Sequence, residues 1–466
     1  MRFMSRINIF MTDTLEGGFS PLHYRSQFDL WGMASLYQGI CMYDETLNLC
    51  NRLSEYVIFE DGYLEVKLKP LVWHDGTTIS AEDFKFSFEL YFRKSKKGRI
   101  PNGIIQRIEG AEDYYYDKTS EIAGIKVIDD HTFRIYHHAP HQYMQSLLVL
   151  PILPKRNNPQ AENKNIGCGA YVLQAMNKSS ARFERNENFC LGSPKMKYLD
   201  LLGGSKEDQK ELLKTKSIDL TAIEATDLLN LPFTVFHDYY MYSLPQPVST
   251  VMKINPKSEL FTNLGMRKTL SQSIDRNLLV QKLFHGFADP LLQFYPPVVA
   301  QQLNCTLLYP DVAPCNVRCN EIIIGFQEKS AEHILVAELL YEQLKNQTIV
   351  SLQSFTSREE AYSCGADVYI DSMSHSIIPI SNPFIYSNSK YFSTSSDYDQ
   401  MINLEQKLYS KNYRHFTRDF ATECARVLPI IPLYSKHEIQ LVSKRVKGLK
   451  PDTRGAFWNI HEIEII

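Results

Sequence analysis

The sequence predicts a mixed α/β protein with at least two lobes, and three observations support this fold class. The chain has 466 residues, which is more than one hydrophobic core usually supports, so two or three domains are expected. Stretches that alternate apolar and polar residues, as strands do, occur together with stretches of helical periodicity. Residues 321–355 have the pattern of a strand, a helix and a second strand, which is expected to give parallel strands joined by a right-handed crossover.

The elements of the first half follow from local patterns. Residues 6–10, "RINIF", predict a first strand that leads into a loop at Gly17 and Gly18. "LWGMASLYQGICMYDE" (30–45) then predicts a short helix that ends in a turn. "GYLEVKLKP" (62–70) and "HTFRIYHHAP" (131–140) alternate as strands do, and the proline-bearing, increasingly polar stretch at 146–160 is interpreted as a crossing between domains.

The stretch "LVWHDGTTISAEDFKFSFELYF" (71–92) contains His74, Asp75, Glu82 and Asp83, which raises the question of a metal or catalytic site. Asp75-Gly76 is a turn dipeptide, and Ser80 followed by Asp83 is a capping box at a helix start. The aromatic residues after it fall on one helical face, and His74 has no His or Cys partner at ligand spacing. The local pattern therefore favours a turn and a helix start over a metal site.

Composition limits the classes of partner. With 44% hydrophobic residues, 22% charged residues and a net charge of −3, the chain has no overall attraction to nucleic acid or to anionic membranes. Its longest apolar runs are too short to span a membrane. The start, "MRFMSRINIFMTDT", lacks the features of a secretory signal, and nine scattered cysteines are typical of free thiols in a reducing compartment. We therefore expect a cytoplasmic protein if the chain is complete, and a periplasmic or cell-surface protein if a signal was removed.

Cofactor and enzyme motifs are weak in this sequence. Gly167-Cys168-Gly169 lacks the third glycine and the following helix of a dinucleotide loop. Cys315 and Cys319 form a C-x3-C pair with no second pair at zinc-finger spacing. We found no nucleophile elbow, H-E-x-x-H motif or P-loop. We therefore expect no cofactor, no bound metal and no enzymatic activity.

Several stretches, in this order, resemble one family: the large solute-binding proteins of oligopeptide, dipeptide and nickel ABC transporters, known as bacterial extracellular solute-binding protein family 5. The resemblance extends from about residue 6 to the C-terminus. Its segments are the Trp-His-Asp-Gly stretch at 73–76 with its helix, "IAGIKVIDDHTFRI" (122–135), "GCGAYVL" (167–173), "IDLTA" (218–222), "MRKTLSQSIDRNLLVQKLFHGFADP" (266–290), "FYPP" (294–297), "LPIIPLY" (428–434) and "RVKGLKPD" (445–452).

The resemblance implies a two-lobed α/β fold of the periplasmic-binding-protein-like type II, class C, with an extra inserted domain. Lobe I would comprise residues 1–45, 164–245 and 441–466, the inserted domain 46–163, and lobe III 246–440. The implied function is capture of a peptide or similar small polar ligand in an interlobe cleft, by a monomer that serves an ABC permease. The alternative is a cytoplasmic ligand-sensing domain of a transcription regulator.

The resemblance also implies where the ligand binds. Peptide-binding members carry a Gly-Trp pair and then an Asp that pairs with the ligand's α-amino group. In "DVYIDSMSHSIIPISNP" (367–383), Ser372-Met373 stands in place of Gly-Trp, and no carboxylate remains unless the register shifts to Asp371. A surface loop with incidental serines fits this stretch about as well. The residues expected at the ligand are Glu16, Tyr24, Asp371, Met373, Ser374, His375 and Ser376, and the expected ligand has a blocked or absent α-amino group.

Overall fold

The computed structural model describes residues 6–44, 49–94, 105, 107–138, 141–155, 165–255, 257–302, 321–361, 363–375, 404, 413–452 and 457–466. Its strands are β1 (Arg6–Met11), β2 (Cys41–Tyr43), β3 (Leu49–Asn51), β4 (Ser54–Glu60), β5 (Tyr63–Leu68), β6 (Ile125–Val127), β7 (Thr132–Tyr136), β8 (Tyr171–Met176), β9 (Ser180–Arg185), β10 (Tyr198–Gly203), β11 (Leu220–Ile223), β12 (Tyr239–Pro245), β13 (Val248–Ile254), β14 (Ala288–Pro290), β15 (Glu321–Gln327), β16 (Ile349–Phe355), β17 (Val368–Ser374), β18 (Ile430–Ser443), β19 (Val446–Lys447) and β20 (Glu464–Ile465).

The helices are α1 (Gln27–Leu36), α2 (Ala81–Lys94), α3 (Ala111–Tyr115), α4 (His141–Leu148), α5 (Lys206–Lys214), α6 (Ala225–Leu228), α7 (Val235–Asp238), α8 (Leu264–Gln272), α9 (Arg276–Phe284), α10 (Pro297–Gln302), α11 (Ala331–Leu344), α12 (Arg358–Ala361) and α13 (Tyr413–Val427). Within the ranges that the structure describes, no helix has both the length and the apolar character needed to cross a bilayer.

The chain divides into two compact units. Unit 1 comprises Met1–Ile223, Asn230–Tyr242 and Ile439–Ile466, and unit 2 comprises Glu224–Leu229 and Ser243–Glu438. The predicted crossing at 146–160 falls inside unit 1, and residues 156–160 of it lie outside the described residues. The division of unit 1 into a lobe and an inserted domain stays a prediction.

Unit 1 contains a large sheet in which β1 lies between β10 and β11 and is parallel to both. Strands β10, β9 and β8 continue the sheet in antiparallel order, and the second half of β18 pairs antiparallel with β11. Both faces of β1 are covered, since Ile7, Ile9 and Phe10 are almost fully buried. Such two-sided burial suits the apolar residues at the end of the strand, Ile9–Met11.

A second sheet of unit 1 has four antiparallel strands in the order β4-β5-β7-β6. The predicted strand "GYLEVKLKP" is β5, whose residues alternate between half-buried and buried positions as the sequence pattern requires. Helix α2 packs on this sheet through Phe84, whose ring stacks on Phe133 of β7 at 3.8 Å between centroids. Phe88 packs edge-on against Phe84 at 4.1 Å. The aromatic face predicted for 84–92 is therefore the face that joins the core.

Unit 2 is built on a sheet with the strand order β16-β15-β17-β13-β18. Strand β15 is parallel to β16 and β17, and β13 is antiparallel to both β17 and β18. Helix α11 connects β15 to β16, so the predicted strand-helix-strand unit with parallel strands is confirmed. Parallel strands of this kind bring their carboxyl ends, and the start of the connecting helix, to one edge of the sheet.

Candidate functional site

The Trp-His-Asp-Gly stretch forms a turn followed by a capped helix. The Asp75 carboxylate accepts hydrogen bonds from the Thr77 amide at 3.2 Å and the Thr77 hydroxyl at 2.8 Å. At the start of α2, Asp83 accepts from the Ser80 amide at 2.9 Å, and Ser80 accepts from the Asp83 amide at 3.4 Å. Asp83 also accepts from the indole N–H of Trp73 at 3.3 Å. The prediction of a turn and a capping box is confirmed.

His74 has a role that the sequence did not indicate. Its Nδ1 accepts a hydrogen bond from the Gly167 amide at 3.2 Å, and its Nε2 donates to the Gly169 carbonyl at 3.1 Å. Its own amide donates to the Gly167 carbonyl at 2.8 Å. Burial lowers the pKa of His74 to about 4, which keeps the ring neutral and suits one accepting and one donating nitrogen. His74 thus connects two sequence motifs within unit 1.

Glu16 and Tyr24 lie in one loop of unit 1, between β1 and α1, and both side chains are exposed. The loop is closed at its base by Asp29 of α1, whose buried carboxylate accepts from the amides of Glu16 at 3.1 Å and Arg25 at 2.8 Å. The two predicted residues of unit 1 therefore lie on a loop that is fixed at both ends. Sequence reasoning did not single out Asp29.

Asp371 lies near the end of β17 and is already paired. Its Oδ2 accepts from the Nζ of Lys253 on the neighbouring strand β13, and both side chains are largely buried, with 13% and 15% exposure. Its Oδ1 accepts from the Ser372 amide at 2.9 Å. The Asp371 carboxylate thus has a cationic partner within unit 2.

Met373 and His375 are buried in the core of unit 2, with 7% and 3% exposure. The Nε2 of His375 lies 2.7 Å from the Ser249 hydroxyl, and its ring packs edge-on against Phe294 at 5.5 Å and Tyr295 at 5.7 Å. Burial lowers the pKa of His375 to about 3. In this structure both side chains belong to the core, and ligand contact stays a prediction for them.

Ser374 and Ser376 are the remaining predicted residues of this stretch. Ser374 is the last residue of β17 and is described through its backbone alone. Ser376, one of the three residues predicted around the position of the family's amine-pairing Asp, lies outside the described residues, as do Cys315 and Cys319. Within the described ranges, no group of three or more His, Cys, Asp or Glu side chains could hold a metal ion.

A pocket of about 370 Å³ lies in unit 2, where the carboxyl ends of β15 and β17 meet the first turn of α11. Its polar lining residues are Gln327, Ser330, His333, Asp371 and Ser372. Ser330 caps α11 by accepting from the His333 amide at 3.2 Å. The ring of His333 reaches towards the Ser372 hydroxyl at 3.4 Å, and burial lowers its pKa. The pocket therefore offers the neutral hydrogen-bonding groups of Ser330, His333 and Ser372 at a helix start, beside the Asp371 carboxylate that Lys253 pairs with.

A partly exposed ion pair lies beside this pocket. Glu332 of α11 accepts from the Nζ of Lys436 at 2.8 Å, the hydroxyl of Tyr434 at 2.9 Å and the hydroxyl of Thr250 at 3.3 Å. Burial alone would raise the pKa of Glu332, but Lys436 and the Tyr434 hydroxyl outweigh it, so the pKa lies below its ordinary value. The network fixes the first turn of α11, and with it Ser330 and His333, against the sheet.

A serine, a histidine and an aspartate also form a hydrogen-bonded line in unit 2. The Ser243 hydroxyl lies 2.7 Å from Nδ1 of His437, whose Nε2 lies 3.0 Å from Asp289. The three residues belong to β12, β18 and β14, and β14 pairs with β18 in this sheet. None of them lines the pocket described above. The order Ser–His–Asp is that of a nucleophile, its base and the residue that orients the base. We interpret these hydrogen bonds as structural bonds that join the three strands.

Comparison with known proteins identifies the family. The sequence profile described as "Bacterial extracellular solute-binding proteins, family 5 Middle" matches residues 53–307, which is more than half of the chain. The chain belongs to this family. The predicted family and α/β fold class are thereby confirmed, and the matched region includes the Trp-His-Asp-Gly turn, α2 and the Gly167–Gly169 segment.

Individual relatives are distant. This chain is 24% identical to the oligopeptide-binding protein AppA of Bacillus subtilis over 274 residues. The alignment covers 54% of this chain and 46% of the relative. It is 23% identical over 283 residues to the glutathione-binding protein GsiB of Shigella boydii, covering 57% and 51%. The chain thus spans about half the length of the curated relatives it matches. The solved structure of AppA from Clostridium difficile shares the fold with a TM-score of 0.79 at 18% identity, covering 99% of this chain and all of that one.

Proposed function

We propose that this chain captures a peptide or a similar small polar ligand and delivers it to an ABC permease. Membership of a solute-binding family supports the proposal, and two relatives are named for binding oligopeptides and glutathione. The structural observation that carries it is the polar pocket of unit 2 at the carboxyl ends of parallel strands, where α/β proteins commonly bind ligands.

The proposed ligand-contacting residues belong to both units. Unit 1 contributes Glu16 and Tyr24, whose side chains are exposed on one loop. Unit 2 contributes Asp371 of the pocket, and Met373, Ser374, His375 and Ser376 stay in the proposed set by their place in the sequence.

The ligand in this proposal has a blocked or absent α-amino group. An ammonium group that loses its hydration on closure needs a counter-charge. Asp371 is engaged by Lys253, and the neighbouring positions that stand in for the family's amine-pairing Asp are Ser, His and Ser. Neutral groups such as Ser372 and His333 suit an amide or acyl group better than an ammonium.

Several wider features belong to the same proposal. The protein acts as a monomer in this proposal. It acts outside the cytoplasm, which the word "extracellular" in the family's description supports. This location favours a transport receptor over a cytoplasmic sensor. It performs no chemistry on its ligand. Lobe I comprises residues 1–45, 164–245 and 441–466, the inserted domain 46–163 and lobe III 246–440. The separate four-stranded sheet β4-β5-β7-β6 supports the inserted domain as a substructure of unit 1.

A thermal-shift screen tests the proposal. Purified protein is heated with pools of free and N-acetylated di- to pentapeptides and with glutathione, and amino-acid mixtures of matched composition serve as controls. A ligand at 100 times its dissociation constant stabilises the fold by about 2.7 kcal/mol. We expect at least one pool to raise the melting temperature while its matched mixture does not, and small-angle scattering to show a smaller radius of gyration. A screen without any shift overturns the proposal.

A further inference from the structure

Asp29 is a fully buried carboxylate that organises the loop carrying Glu16 and Tyr24. Its Oδ1 accepts from the Glu16 amide at 3.1 Å, and its Oδ2 accepts from the amides of Gly17 at 2.7 Å and Arg25 at 2.8 Å. Oδ2 also lies 3.3 Å from the Ser26 amide. One side chain thus holds the two ends of the loop together through four backbone N–H groups. Hydrogen bonds to a charged acceptor are about twice as strong as neutral ones.

Part of this arrangement is an ordinary helix cap. Ser26 and Asp29 form a capping box at the start of α1, in which the Ser26 hydroxyl accepts from the Asp29 amide at 3.0 Å. Ser205 and Asp208 form the same box at the start of α5. A cap of this kind needs only the bond to the cap amide. The hydrogen bonds that Asp29 accepts from the amides of Glu16, Gly17 and Arg25 are additional. They hold the loop and are not part of the helix cap.

Close backbone packing limits the conformations that the base of the loop can adopt. A Cβ added at Gly17 would lie 1.8 Å from the carbonyl oxygen of His23, so the chain passes very close to itself there. Asp13 holds the following residues by accepting from the amides of Gln27 at 2.7 Å and Phe28 at 3.1 Å. Between these fixed points the side chains of Glu16, Tyr24 and Arg25 remain exposed. The base of the loop is held by these hydrogen bonds, while these three side chains are exposed.

We infer that Asp29 is the positioning residue of the ligand site in unit 1: it does not touch the ligand but fixes the loop that presents Glu16 and Tyr24. The inference rests on the proposed function, because it assigns those two side chains to ligand contact. A loop that adopts its binding shape only part of the time weakens the apparent affinity by that fraction. Loss of Asp29 therefore lowers affinity without removing any ligand-contacting group.

Two variants separate loop positioning from helix capping. Asp29→Asn keeps the size of the side chain but replaces the carboxylate by an amide with a single acceptor oxygen. Asp208→Asn makes the same change in the capping box of α5, which has no loop to hold. We expect Asp29→Asn to bind the pool identified in the thermal-shift screen about tenfold more weakly than the wild type. The reason is that the loop would adopt its binding conformation only about a tenth of the time. Asp208→Asn should bind as the wild type does.

Hydrogen–deuterium exchange provides a readout that does not depend on a ligand. In Asp29→Asn, the segment 14–26 should exchange faster and trypsin should cut after Arg25 faster, at a temperature where both variants are equally folded. Equal affinities for the two variants, or unchanged exchange of this segment, overturn the inference. If the wild type binds no pool, the proposed function fails and the ligand role of Asp29 fails with it, while faster exchange would still establish that Asp29 holds the loop.

Discussion

His74 and Gly167 hold each other through two hydrogen bonds that run in opposite directions. The His74 amide donates to the Gly167 carbonyl at 2.8 Å, and the Gly167 amide donates to the His74 ring at 3.2 Å. These residues are 93 positions apart, so the pair joins the turn before α2 to the segment before β8. The pair makes His74 a structural residue of unit 1, and the first two predictions follow from it.

Replacing His74 should cost more stability than replacing its neighbour Asp75. His74→Ala leaves the buried Gly167 amide without its acceptor, while the Gly169 carbonyl keeps only the donor on Asn186. This loss should lower the free energy of unfolding by about 1–3 kcal/mol. Asp75→Ala removes exposed turn contacts and should cost roughly 0.5 kcal/mol. Urea denaturation measures both. Equal losses, or a loss of ligand affinity at unchanged stability, would show that His74 acts at the ligand.

Acid should destabilise the protein partly through His74. Burial lowers its pKa from 6.5 to about 4 in the folded state, so the unfolded chain binds more protons between these values. The stabilisation is fully present above pH 6.5 and is lost as the pH falls towards 4. We expect His74→Gln to show a shallower fall in unfolding free energy over this range than the wild type. Parallel curves for the two proteins would contradict the assignment.

Pairing between Asp371 and Lys253 should be detectable by a double-mutant cycle. Asp371→Asn leaves a largely buried ammonium without its counter-charge, and we expect a loss of about 1–3 kcal/mol in unfolding free energy. Lys253→Met together with Asp371→Asn should recover part of that loss, because no unpaired charge remains. Chemical denaturation of the four proteins gives the coupling. Strictly additive losses would mean that Asp371 is available to a ligand.

The position of Ser376 should decide whether a free amine is preferred. N-acetylation of a bound peptide should weaken binding to the wild type little, since no unpaired carboxylate is proposed at the amine position. Ser376→Asp should shift the preference towards the free-amine form by about tenfold, which corresponds to ~1.4 kcal/mol. Ser376→Asn is the matched neutral control and should leave the preference unchanged. Calorimetry with paired peptides measures all three, and strong amine dependence in the wild type would place the clamp on another acid.

Ser243 should not behave as an enzyme nucleophile despite its histidine and aspartate neighbours. A fluorophosphonate probe labels serines that an adjacent base and an oxyanion site activate. We expect the folded protein to label no faster than Ser243→Ala. Rapid labelling that both Ser243→Ala and His437→Gln abolish would show an acyl-transfer site and reopen the enzymatic hypothesis.

Local chemistry in the sequence predicted the turn at Asp75, the capping box of Ser80 and Asp83, and the β15-α11-β16 unit, because each depends on residues close together in the chain. The ligand-site prediction depended on contacts between distant residues. Glu332 and Lys436 are 104 positions apart, and nothing in either local pattern indicates their pairing. Residues of β17 alternate between two faces that are both covered, so the sequence could not show that Met373 and His375 point into the core around Phe294 and Phe420.

Strand β18 pairs with strands of both units. Its first half pairs with β13 and β14 in unit 2, and its second half pairs with β11 in unit 1. A register shift between the pairs Thr250–Tyr434 and Val251–Pro432 interrupts the first half, and side chains alternate along the residues that follow it. Losing one residue between Lys436 and Ile439 would turn Ile439 and Leu441 to the wrong side of their sheet while Tyr434 kept its place. In evolution this segment can therefore change its length by two residues more readily than by one.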